Sequence, residues 1–148
     1  MRIFARCLAA LVLVGPLVLA GCQGDSSSSS TQPGVLAVAA DSPIVDVPVP
    51  EGFRMVEPSH SEVTPGTNFR WVNHNYKGQA PYATVVRFFR VNLAAKGWSC
   101  LSQQQSDESV TLTFSKSNED CVINVWRGTM DTHININLHP TGRTAATR

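Results

Sequence analysis

Residues 81–96 constrain the fold of this chain more than any other stretch. Tyr82, Val85, Val86, Phe89 and Leu93 recur at helical spacing and make one apolar face, while Arg87 and Arg90 fall on the other side. Pro81 suits a first turn, Lys96 favours the negative end of the helix dipole, and Gly97 stands where a left-handed cap belongs. A helix with one greasy face must bury it, and the chain downstream of the helix supplies the partner. Four short segments come at near-regular spacing: 98–104, 110–115, 121–127 and 133–138. Val110, Leu112 and Phe114 alternate with Thr111, Thr113 and Ser115, and Ile134, Ile136 and Leu138 alternate with Asn135 and Asn137. This period of two describes half-buried strands joined by the polar turns at 106–108, 117–120 and 128–131.

Upstream, 53–56 and 61–63 read as short strands on either side of a proline-bearing loop, and 68–76 as a longer one. In that last segment Val72, His74 and Tyr76 alternate with Trp71, Asn73 and Asn75. The expectation is an α+β fold: a single small domain at 47–140, with one helix packed on a mostly antiparallel sheet of five or six strands. One sheet face is left open, and 141–148 form a polar tail without periodicity.

Before the domain, the composition changes twice. Arg2 and Arg6 precede an almost wholly apolar run from Cys7 to Leu19, the pattern of a targeting segment at 1–21. The run is shorter than a spanning helix needs, and Gly15-Pro16 would break it. Residues 22–46 then read as a flexible tether, because 23–33 hold Ser, Gly, Gln and Thr but nothing to bury. As a coil this tether spans roughly 25 Å. Within it, Val35 to Ala40 is apolar and uncharged. Docking on the chain's own domain is the simplest reading of that stretch, and contact with a partner or membrane is the sharper one. Removing Arg2 and Arg6 leaves ten Lys/Arg against eleven Asp/Glu, with no basic stripe to suggest nucleic acid.

Leu19-Ala20-Gly21-Cys22 resembles the lipobox of bacterial lipoproteins, and that resemblance implies cleavage before Cys22 and acylation of it. Two or three acyl chains hold a protein firmly at a bilayer where one would let it exchange. The resemblance thus implies a cell-envelope location, anchored through Cys22, with the domain facing the periplasm or exterior; Gln23 in place of Asp leans toward the outer membrane. From 48 onward, Pro48-x-Pro50-x-x-Phe53, Tyr76-x-Gly78, Arg87-Phe88-Phe89-Arg90, Gly97-Trp98, Leu112-x-Phe114-x-Lys116 and Cys121 to Val125 resemble a pattern in small bacterial envelope lipoproteins and secreted proteins of unassigned role. That pattern carries no role with it; the lipobox, the tether and the missing catalytic motifs together lead to the expectation of a domain that binds or scaffolds a protein partner, without catalysis.

Candidate chemistry in the domain is sparse. Cys100 and Cys121 are an even pair for an oxidising compartment, and a disulfide between them would contribute about 3 kcal/mol. In a simple meander, however, they flank a common neighbour strand at ~9.6 Å, beyond the ~7 Å a bridge tolerates, unless twist closes the gap. Free thiols are the alternative. His60, His74, His133 and His139 show no metal-ligand spacing, though His74 and His133 lie on strands that could meet. No nucleophile elbow, P-loop or dinucleotide fingerprint is present, and no cofactor is implied. Trp71, Trp98, Trp126 and Tyr76 could form an aromatic platform. Trp126 alternates out of phase with Ile123 and Val125, so with Asn124, His133, Asn135 and Asn137 it marks a possible partner or ligand face. A tryptophan covered by a loop is the plainer reading. A glycan-binding or enzymatic cleft near Trp126 and His133 is the alternative function.

Overall fold

A computed structural model describes residues 34–64 and 69–141. The targeting segment, Cys22 with the whole serine tract to residue 33, and tail positions 142–148 lie outside the described residues. Among the described residues, six strands and one helix run in the order β1 (Arg54–Val63), β2 (Arg70–Gly78), α1 (Tyr82–Ala95), β3 (Ser99–Gln105), β4 (Ser109–Lys116), β5 (Glu119–Arg127) and β6 (Thr132–Pro140). All pair antiparallel in one sheet of spatial order β1-β2-β6-β5-β4-β3. The expected α+β class with five or six strands is what forms.

The topology explains where the helix lies. The connection from β2 to β3 must span the width of β6, β5 and β4, and α1 is that connection. It buries Val85, Val86, Phe88, Phe89 and Leu93 against the sheet. The C-terminus closes as the pattern at Lys96-Gly97 requires. Gly97 takes φ +84°, its N–H bonds to Ala94 O at 3.0 Å, and Trp98 N–H reaches back to Leu93 O at 3.0 Å. Facing the helix are Val110, Leu112 and Phe114 of β4, Cys121, Ile123 and Val125 of β5, and Ile134, Ile136 and Leu138 of β6. All nine are at most 2% exposed, and the alternation read from the sequence holds without a slip.

Three features depart from expectation. The two short strands at 53–56 and 61–63 are one ten-residue strand, β1, with a register shift between Val56 and His60 around the cis Glu57–Pro58 peptide. The packed domain also begins before residue 47, inside the segment expected as tether. Ile44 is buried beside Val47 and Val49, and Leu36 packs against the same core. Residues 37–39 pair with 49–51 through Ala39 N–H to Val49 O and Glu51 N–H to Ala37 O, both 2.9 Å. Asp46 anchors this segment: it accepts from Arg70 Nη1 at 2.8 Å and Lys116 Nζ at 2.9 Å, and its carbonyl accepts Trp98 Nε1 at 2.9 Å. Arg70 completes the cluster on Glu119. These partners stand up to 70 residues away in sequence, so composition could not reveal them.

The third departure is a correction. Cys100 and Cys121 are both free, one exposed and one buried. Each pairs with Phe114, from opposite sides of β4, so two inter-strand spacings separate them. Strand twist does not close that gap, and the expected disulfide is absent.

Candidate functional site

With α1 and residues 44–50 on one face, the other face of the sheet carries no covering element among the described residues. Register alone sets out its side chains. Trp126 stands opposite Ser109 on one side and His133 on the other, and His133 opposite Lys77. The next row runs Asn75, Asn135, Asn124, Thr111 and Gln104, and the row after it Asn73, Asn137, Val122, Thr113 and Ser102. Five sequence-nominated residues, Trp126, Asn124, Asn135, Asn137 and His133, therefore share one contiguous face.

The contacts within it are specific. The Trp126 and His133 rings stack at 5.3 Å between centroids with a 12° interplanar angle. Asn135 Nδ2 donates to Asn73 Oδ1 at 2.6 Å and Asn75 Oδ1 at 3.0 Å, and Thr111 Oγ1 donates to Asn124 Oδ1 at 2.7 Å. A second stack, Trp71 on His139 at 6.3 Å and 30°, closes the far end, with Trp71 50% exposed. His133 and His139 lie six residues apart on β6, so the two stacks stand roughly 20 Å apart. Between them the surface offers amide and hydroxyl groups and almost no charge. Such a face can hydrogen-bond a polar partner and stack against flat apolar surface.

Asn73, Asn75 and His139 join the face without having been placed there from the sequence, and Trp71 joins it as a member of the expected aromatic platform. Alternation had already grouped Trp71, Asn73 and Asn75, but their alignment beside β6 required the strand order. Trp98 and Tyr76 leave the expected platform, being 2% and 3% exposed within the core. His74 and His133 point to opposite faces and do not meet.

Enclosure is shallow. A depression of about 430 Å³ beside Trp126 is lined by Ser106, Glu108, Ser109, Asn124 and Arg127, and His133 is not among its walls. No group of three or more His, Cys, Asp or Glu side chains converges on a metal-sized site among the described residues.

One linked set was not read from the sequence. His74, inward on β2, accepts or donates at both ring nitrogens, to Ser61 Oγ through Nε2 and to Tyr76 Oη through Nδ1 at 3.0 Å. The chain has the order of a nucleophile, a base and an orienting group. The orienting group is wrong for strong activation: burial pushes the Tyr76 phenol up to about 12, so it stays neutral and offers an imidazolium no countercharge. Burial, with the charge of His60 behind it, lowers His74 and keeps it neutral too. The set satisfies buried polar groups at the β1–β2 edge.

A family model described as START domain-like matches residues 54–131, from the first strand to the turn before the last. No curated protein and no solved structure matches.

Proposed function

The chain belongs to the START domain-like family, and we propose that it is a binding domain, anchored by lipid in the bacterial envelope. It engages a protein partner through the open face of its sheet. The observation that carries this reading is the face itself: β5 and β6 align Trp126, His133, Asn124, Asn135 and Asn137 on a surface that no described element covers. Its groups are mostly uncharged amides, hydroxyls and stacked rings, which supply directional bonds at little desolvation cost compared with charges. The lipobox-like Leu19–Cys22 and the polar tract behind it support an anchored domain that can reach a partner.

A photo-crosslinking residue at Thr113, in the middle of the face, tests the reading in cells. It should capture a discrete partner, and Trp126→Ala should abolish the adduct. An equal yield from a probe at Ala94 on the helix would overturn it. The two aromatic stacks about 20 Å apart also fit a glycan strand laid along β6, the second reading. Co-sedimentation with purified cell-wall polysaccharide, lost in Trp126→Ala, would favour it. Anchoring has its own test: labelled palmitate should enter the wild type and not Cys22→Ala.

A further inference from the structure

The outward surface of α1 has a character that the open sheet face lacks. Arg87 and Arg90 are exposed there, and Val91 beside them is 59% exposed. From Gln79 to Trp98, the helix and its flanks, the chain contains no acidic residue, while Arg87, Arg90 and Lys96 fall within that interval. Alongside the helix, residues 34–36 form the other wall of an apolar groove of about 190 Å³, with Phe88 at its floor and Arg87 at its edge. Val35, in that wall, is 48% exposed. Cations and exposed aliphatic side chains thus share one surface, and the described chain enters on it, at Gly34, twelve residues after Cys22.

The geometry points to this surface, Arg87, Arg90, Val91 and Val35, resting on an anionic bilayer. The charge is complementary to anionic headgroups, and the valines match the boundary between headgroup and acyl chains. A nucleic acid or an acidic protein would use the arginines and leave the valines unexplained. Two arginines near a membrane give only modest attraction, roughly fivefold each at low salt. That is enough for a domain held close by the anchor proposed at Cys22, the reading on which this inference rests, because tethering replaces free encounter by a high local concentration. Docked in this way, the helix faces the lipid and the amide-rich sheet face points away from it. The inference does not depend on what the sheet face binds.

The chain from Gln23 on, with a histidine tag in place of the lipid, is held by that tag on nickel-chelating vesicles of phosphatidylcholine alone or with phosphatidylglycerol added, so that the tether acts equally in both and the targeting segment in neither. Phenylglyoxal then modifies accessible arginines, read by mass spectrometry. Arg87 and Arg90 should be protected severalfold on the anionic vesicles and not on the neutral ones, while Arg54 and Arg127 react equally on both. In sedimentation at low salt with vesicles lacking the chelating lipid, Arg87→Gln with Arg90→Gln should reduce partitioning onto anionic vesicles roughly 30-fold, and Trp126→Ala should not change it. Labelling of Arg87 and Arg90 at the rate of Arg54 on anionic vesicles would overturn the inference. Equal protection on both vesicle types would also overturn it. Either result leaves the crosslinking test of the sheet face untouched.

Discussion

Replacing Asp46 by Asn tests the clamp that binds the N-terminal segment to the domain. The substitution keeps the side-chain shape and leaves the backbone carbonyl free to accept Trp98 Nε1. It removes the charge that Arg70 and Lys116 face at 2.8 and 2.9 Å. Burial alone would raise this carboxyl. The hydrogen bonds from Arg70 and Lys116 outweigh burial and bring it from an ordinary 3.8 down to about 2. That lowering corresponds to at most about 2.4 kcal/mol of preference for the folded state. The side chain is 20% exposed and its partners 27% and 33%. Solvent screening therefore reduces the expected loss to about 1–1.5 kcal/mol at pH 7.

The direction of the shift sets the sign with pH. A carboxylate held lower in the folded state contributes fully above its unfolded value near 4, and the contribution disappears as pH falls through about 2. Urea unfolding of wild type and Asp46→Asn, monitored by tryptophan fluorescence, should show the full gap at pH 6–7. The gap should narrow steadily below pH 4. A gap under about 0.3 kcal/mol at pH 7, or one of the same size at pH 7 and pH 2.5, would refute the clamp.

Gly78→Ala places a Cβ 2.7 Å from the Phe53 ring, which already packs on the core, and should cost about 1–3 kcal/mol by thermal or urea unfolding. Reducing agent should leave the melting temperature unchanged, and a maleimide should modify Cys100 in the folded protein but Cys121 only on unfolding; burial pushes that thiol up to about 12. His74 is kept neutral by burial and by His60, so folding stability should fall as pH drops below about 6.5. His74→Gln should flatten that slope in a pH series of urea midpoints. Leu93→Ala, at a site with no exposure, should cost about 2–5 kcal/mol.

The sequence by itself determined the local elements and which side of each one is buried. A period of 3.6 at 82–93 and a period of two at 110–114, 121–125 and 134–138 are backbone geometry written in side-chain polarity, so they survive without knowledge of any partner. Alternation also put Trp126, Asn124, Asn135 and Asn137 on a common side before any strand order was known. Gly97 marked the helix end because only a residue without Cβ takes φ +84° there at no cost.

What only the tertiary structure decided is adjacency. Placing β2 beside β6 is what joins Asn73 and Asn75 to Asn135 and carries Trp71 onto His139. Placing β4 between Cys100 and Cys121 is what keeps their sulfurs apart. The segment at 44–46, read as tether because it continues from the serine tract, belongs to the domain because Ile44 is buried in the core and Arg70 and Lys116 meet Asp46 from 24 and 70 residues away. Periodicity reports how a residue faces its own strand or helix. Ion pairs, stacks and disulfide geometry depend on which strands are neighbours, and that is settled by the packing of the whole chain.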